Sequence, residues 1–70
     1  MTDLVLLKKY ISECGLSLDG LADSCGITKN RLLLLLSGKV EFRASEMVSL
    51  RRVLCLSGEE SESIFFNTDS

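Results

Sequence analysis

The chain has no histidine and no proline, and each absence limits the sites or structures that it can form. Histidine is the commonest metal ligand in proteins, and Cys14, Cys25 and Cys55 do not have the spacing of a zinc site. Without proline, the residue that most often interrupts a helix is missing. The sequence therefore predicts neither a metal centre nor a cofactor, and its helical patterns are expected to end at glycines.

The cysteines are odd in number, which argues against a disulfide framework. Met1 is followed by Thr2, Asp3 and a short amphipathic segment instead of a secretory signal. We therefore expect small packing cysteines in the reducing cytoplasm. No stretch approaches the roughly 18 apolar residues that cross a bilayer, so no membrane partner is expected.

Size and charge set further limits on function. Seventy residues make at most one domain, expected over residues 1–66, with a frayed tail at 67–70. The net charge is −2, which is unfavourable for a nucleic-acid partner. However, residues 1–58 hold eight basic and six acidic residues, whereas residues 59–70 hold four acidic and no basic ones. With no glycine-rich phosphate loop and no nucleophile paired with a base, we expect no enzyme.

Apolar residues at helical spacing predict an all-α chain that begins with a helix over residues 3–14. Its inward stripe consists of Leu4, Leu7, Ile11 and Cys14. Gly15 is expected to end this helix in the left-handed conformation. The second helix is expected to start at the N-cap Ser17, to run to Cys25 and to stop at Gly26.

The third helix is expected to follow after only two residues, with Thr28 as its N-cap and Gly38 as its stop. Two short helices joined by a tight turn that contains glycine are typical of a helix-turn-helix, here over about residues 17–37.

Two more helices are expected beyond Gly38. Phe42 is expected to anchor the loop over residues 39–44, and Ser45 to be the N-cap of the fourth helix. Ser57 and Glu60 have the spacing of a capping box and open the fifth helix. The apolar residues at its end are expected to fold back onto the core: Ile64, Phe65 and Phe66.

The run "RLLLLLSGKV" places five consecutive leucines in the third helix. Residues of a helix advance by about 100° each, so Leu32, Leu35 and Leu36 form one inward stripe. Leu33 and Leu34 point away from that stripe. They are either incidental surface residues, which are common, or part of a functional surface.

The stretch "LSLDGLADSCGITKNRLLLLLSGK" resembles the helix-turn-helix core of the lambda-repressor-like (Xre) family. The stretch "EFRASEMVSLRRVLCLSGEESESIFF" resembles the second half of its small phage-borne members. The resemblance covers about residues 4–66 and rests on Ala22, Gly26, Ile27, Gly38 and Lys39. It implies a compact four- to five-helix lambda-repressor-like DNA-binding domain. It also implies a cytoplasmic transcriptional regulator of phage repressor or Cro type, from a phage, prophage or related mobile element.

Members of this family mostly bind double-stranded operator DNA, with bases contacted just after the N-cap of the third helix. The matching base-facing positions are Lys29, Asn30, Leu33 and Leu34. Lysine suits guanine, asparagine suits adenine, and leucine can contact a thymine methyl group. Phosphate contacts are expected from Ser17, Arg31, Lys39 and Arg43. Each charged residue also has a simpler interpretation as solvated surface charge.

Positions 18, 33 and 34 are usually polar in this family, but here all three are leucine. An apolar patch rimmed by charge is typical of a protein interface. The patch of Leu18, Leu33 and Leu34 therefore predicts an alternative function. The protein would be an antirepressor or modulator that docks on another helix-turn-helix repressor.

Members of the family are often dimers, and the sequence offers one candidate contact for a homodimer. It would combine the end of the fifth helix, Phe65 and Phe66, with Val5, Leu6 and Tyr10 of the first helix. Alternatively, Leu6 and Tyr10 only widen the buried stripe of the first helix.

Overall fold

The computed structural model describes residues 2–66, which form five α-helices and no strand. The helices are α1 (Leu4–Glu13), α2 (Leu18–Cys25), α3 (Lys29–Ser37), α4 (Ala44–Val53) and α5 (Gly58–Phe65). The Cα radius of gyration is 11.0 Å, which is typical of a compact domain of this length. The all-α prediction is confirmed, whereas the frayed tail predicted at 67–70 lies outside the described residues.

Short polar side chains begin four of the five helices. The N-cap residues Asp3, Ser17, Thr28 and Ser57 each accept a hydrogen bond from a backbone N–H of the first turn. In α5, the Glu60 carboxylate also accepts from the Ser57 N–H at 2.8 Å, which completes the capping box. The predicted starts of α2, α3 and α5 are confirmed.

The start of α4 differs from the prediction. Ser45 is not the N-cap, because α4 begins at Ala44 and Arg43 occupies the N-cap position. The arginine side chain has no acceptor for the first-turn N–H groups. Instead, the Glu46 carboxylate accepts a hydrogen bond from the Arg43 N–H at 2.8 Å, and this contact fixes where the helix starts.

Glycines end α2 and α3 as predicted. Gly26 and Gly38 have φ values of 71° and 81°, a left-handed conformation in which an L side chain is strained. The N–H of Ile27 bonds to the carbonyl of Ala22 at 3.0 Å, which closes the end of α2. Only Gly26 and Ile27 separate the end of α2 from the cap of α3, so the two helices are tightly connected.

Every helix contributes to one apolar core. α2 packs against α3 and α4, and α5 packs against α1. Leu32 and Leu35 are completely buried and Leu36 is buried, so the predicted division of the leucine run is confirmed for its inner stripe. The core contains Leu7, Ile11, Leu21, Ala22, Leu32, Leu36, Leu50, Leu56, Ile64 and Phe65. α3 therefore packs against the core through the side that carries Leu32, Leu35 and Leu36.

The end of α5 folds back only in part. Ile64 and Phe65 are buried, and the Phe65 ring packs edge-on against Phe42 with centroids 5.4 Å apart, so Phe42 does anchor its loop. Phe66 is 60% exposed, and the prediction that it also folds back was wrong. Consecutive helical positions point about 100° apart, so three neighbours cannot all face one core.

The three cysteines are free thiols with different surroundings. Cys25 packs against the core, and burial raises the pKa of its thiol. Cys14 is half-buried and its thiol donates to the carbonyl of Ile11 at 2.9 Å. Cys55 is exposed on the turn after α4, with a φ of 55°. The expected packing role is thus confirmed for Cys25 and was wrong for Cys55.

Candidate functional site

α3 turns one side to the core and the opposite side to solvent. Leu33 and Leu34 are 43% and 40% exposed, although buried leucines flank them on both sides in the sequence. Relative to Leu32, these two leucines lie at about 100° and 200° around the helix, with Ser37 and Asn30 at about 140° and 160°. These four residues are called the outer face of α3: Asn30, Leu33, Leu34 and Ser37.

A single exposed ion pair links the first turn of α2 to the first residue of α3. The Lys29 ammonium is 3.5 Å from the carboxylate of Asp19, and both side chains are exposed. An exposed pair of this kind contributes little to stability and exchanges readily with solvent or other ions. Lys29 also lies at the N-terminal end of α3, where the helix dipole is positive.

The guanidinium of Arg31 lies on the opposite flank of α3 and is bound within the protein. Its Nε donates to Glu46 Oε2 at 2.8 Å, and its Nη2 donates to Glu46 Oε1 at 3.0 Å. Nη2 also donates to the carbonyl of Glu41 at 3.2 Å. The predicted phosphate contact of Arg31 does not fit this arrangement, because the cation is already neutralised by a bidentate carboxylate.

Glu46 is only 4% exposed, so its carboxylate needs partners within the protein. The Arg31 hydrogen bonds, and to a lesser extent the bond from the Arg43 N–H, hold the pKa of its carboxyl below the ordinary range, against the opposing effect of burial. The same carboxylate thus caps α4 and ties α3 to it.

Three predicted phosphate ligands remain exposed around α3. Lys39 follows the end of α3, Arg43 precedes α4, and neither forms an ion pair within residues 2–66. The Ser17 hydroxyl accepts from the Gly20 N–H at 3.1 Å, so its role is to cap α2. Residues 29–43 contain four basic residues and one acidic residue, so this segment is locally cationic.

Only two of the three leucines of the predicted apolar patch line a common groove. Leu18 and Leu33 line one shallow groove with residues of α1, whereas Leu34 does not line it. The groove residues from α1 include Lys8, Ile11 and Ser12. The sequence did not predict that α1 contributes to this groove, because the spacing of residues within one helix does not identify the helix that lies beside it.

Of the residues predicted for a homodimer contact, some pack against the core and others are exposed. Leu6 and Tyr10 pack against the core, so they widen the buried stripe of α1. The Tyr10 hydroxyl donates to Glu60 Oε2 at 2.8 Å, and this hydrogen bond raises the pKa of Tyr10. Val5 and Phe66 are 82% and 60% exposed.

None of the helices within residues 2–66 is long and apolar enough to span a membrane. Over the same range, no three histidine, cysteine or acidic side chains are grouped so that they could hold a metal ion.

The chain matches no family model, and no curated protein or solved structure is significantly similar to it.

Proposed function

We propose that the protein is a sequence-specific, DNA-binding transcriptional regulator of phage repressor or Cro type, acting in the cytoplasm. α2, the turn at Gly26 and α3 would form its helix-turn-helix, with α3 in the major groove of operator DNA. The observation that carries this proposal is the exposed outer face of α3, which lies within a cationic segment of the chain.

The dimensions and chemistry of α3 suit this role. A helix with its side chains is about 10–12 Å wide, and the major groove of B-DNA is about 12 Å wide. Lys29 and Asn30 lie in the first turn of α3, from which side chains reach base edges. Lys39 and Arg43 are exposed and would contact phosphates, together with backbone N–H groups near Ser17.

Arg31 has an indirect role in this proposal. Its hydrogen bonds to Glu46 link α3 to the first turn of α4, so Arg31 would support the position of α3 without contacting a phosphate itself. Few cations are then left for phosphates. We expect the logarithm of affinity to fall with the logarithm of salt concentration with a slope of about −2 to −3, at roughly −0.9 for each phosphate contact.

Fluorescence anisotropy with labelled duplexes from the DNA flanking its own gene tests the proposal at two salt concentrations. Saturable binding that weakens with salt is the expected result. The absence of such binding at low salt would contradict the proposed function.

Asp19→Asn is expected to strengthen DNA binding. The substitution releases Lys29 and removes a negative charge from the side that would approach phosphates, which should raise affinity about five-fold at low salt. Glu59→Gln, the same charge change in the first turn of α5, is the matched control and should leave affinity near the wild-type value. An equal gain in affinity from both substitutions would mean that the net charge of the protein controls binding, and not the local contact between Asp19 and Lys29.

A second candidate function is favoured by the groove that contains Leu18 and Leu33. In this alternative the protein is an antirepressor that docks this side of α3 on another helix-turn-helix repressor. The double variant Leu33→Ser, Leu34→Gln separates the two ideas in a pull-down with the product of a neighbouring repressor-like gene. Partner binding that survives the change unaltered would exclude this surface as the interface.

Self-association through Val5 and Phe66 stays a prediction. Sedimentation at micromolar concentration decides it, since a clean monomer would exclude a homodimer of the free protein.

A further inference from the structure

The outer face of α3 is apolar where a DNA-reading helix needs contacts to bases. Leu33 and Leu34 provide its exposed side chains over the central turn of the helix. The Ser37 hydroxyl, which lies between them in angle, donates to the carbonyl of Leu34 at 2.8 Å. This face therefore offers little hydrogen-bonding capacity beyond the amide of Asn30.

The nearby cations do not make up for this deficit. Arg31 is bound by Glu46, and Lys29 lies in the first turn of α3, one turn before Leu33, so it would contact bases there and not at the central turn. Lys39 and Arg43 follow the C-terminal end of α3 in the sequence and would contact phosphates in the proposed complex. Electrostatic attraction would thus hold DNA against α3, but it leaves the central turn to recognise bases by apolar contact.

The major groove presents one apolar group, the C5-methyl of thymine, and 5-methylcytosine carries the same group at the same position. Hydrogen-bond donors and acceptors occupy the remaining base edges, and an aliphatic side chain cannot satisfy them. Two leucines about 100° apart on one helix would contact different steps of the groove.

We propose that Leu33 and Leu34 are specificity-determining residues that recognise C5-methyl groups in the major groove. The inference rests on the proposed DNA-binding function and adds the chemical feature that is recognised. The transfer free energy of one buried methyl group corresponds to about a four-fold change in affinity. Two contacted methyl groups would then change affinity by about fifteen-fold.

Replacing thymine by deoxyuridine tests the proposal, because it removes the methyl group and leaves base pairing intact. The probe is the tightest-binding duplex selected from a random pool, compared with its all-deoxyuridine counterpart. Wild-type protein is expected to bind the deoxyuridine duplex about four- to fifteen-fold more weakly. Equal, salt-dependent binding of both duplexes would overturn this inference and leave the proposed function standing. Failure to bind any duplex would overturn both.

Two variants separate direct methyl contact from a change in DNA shape. Leu33→Ser with Leu34→Gln should bind both duplexes alike, whereas a shape effect would persist in this variant and overturn the inference. Val48→Ser removes an exposed apolar side chain from α4 and should retain the wild-type preference. If the double variant no longer binds DNA, the same comparison is made with Leu33→Ala and Leu34→Ala singly.

A second pair of probes identifies the source of the methyl group. In one duplex a contacted T·A pair is replaced by a C·G pair. In the other it is replaced by a pair of 5-methylcytosine and guanine. Tighter binding of the 5-methylcytosine duplex would show that methylated cytosine is also recognised. Equal binding of these two duplexes, combined with a loss on deoxyuridine substitution, would assign the recognition to thymine.

Discussion

Leu35→Ala is expected to lower the free energy of unfolding by about 3–4 kcal/mol, whereas Leu33→Ala should lower it by about 1 kcal/mol or less. Leu35 is completely buried, so truncation leaves a cavity as well as removing apolar contacts. Leu33 is 43% exposed, and its replacement removes only part of a buried side chain. Urea unfolding followed by circular dichroism measures both.

The two substitutions are chemically identical and two positions apart in one helix, so each is the control for the other. Leu34→Ala should resemble Leu33→Ala, because Leu34 is 40% exposed. A domain of this size has roughly 3–5 kcal/mol of stability to lose, so Leu35→Ala is expected to be largely unfolded near room temperature. Similar losses at all three positions would contradict the assignment of an inner and an outer side to α3.

Breaking the contact between Arg31 and Glu46 is expected to have the second large effect. Glu46→Gln keeps the shape of the buried side chain but loses its charge, and should lower the free energy of unfolding by about 2 kcal/mol. Arg31→Met should lower it further, because it leaves a carboxylate that is only 4% exposed without its cation.

The pH dependence has opposite signs in the wild type and in Arg31→Met. In the wild type the pKa of Glu46 is lowered, so its stabilising contribution is present above the ordinary carboxyl pKa of 4.5. This contribution is lost as the pH falls through the pKa of the folded state. Without Arg31, burial should raise the pKa of Glu46, and the variant should regain stability relative to the wild type as the pH falls towards the ordinary carboxyl pKa of 4.5.

The double variant Arg31→Met, Glu46→Leu provides the control. It removes both charges and restores apolar packing, so it should be more stable than Arg31→Met alone. If the double variant is as unstable as Arg31→Met, lost packing and not an unpaired buried charge would be the cause.

The parts of the fold that local rules decide were predictable from the sequence. The starts of α2, α3 and α5 follow from a short polar side chain that bonds within its own first turn. The direction of each leucine in the run follows from helical angle alone, and the exposure of Leu33 and Leu34 agrees with it.

The parts that depend on a distant residue were not predicted. The start of α4 and the role of Arg31 are both set by Glu46, which is 15 residues from Arg31 in the sequence. A signal was present nevertheless. Glu46 precedes the core residue Leu50 by four positions and so lies on the inner stripe of α4. A carboxylate at such a position requires a buried partner.

The candidate site was likewise only partly predictable from the sequence. The helical angle identified the outer face of α3, but the pairing of Lys29 with Asp19 and the groove beside α1 depend on how helices pack. Both proposed functions use α3, and they differ in whether the leucines of its outer face meet bases or a protein.

The central claim is that the outer face of α3 contacts DNA, and amide chemical-shift mapping by NMR tests it most directly. Isotope-labelled protein is titrated with the selected duplex at low salt. The largest shifts are expected at Lys29, Asn30, Leu33 and Leu34, with smaller ones near Ser17, Lys39 and Arg43 and none along α5. Shifts confined to other helices, or no shifts at saturating DNA, would contradict the account.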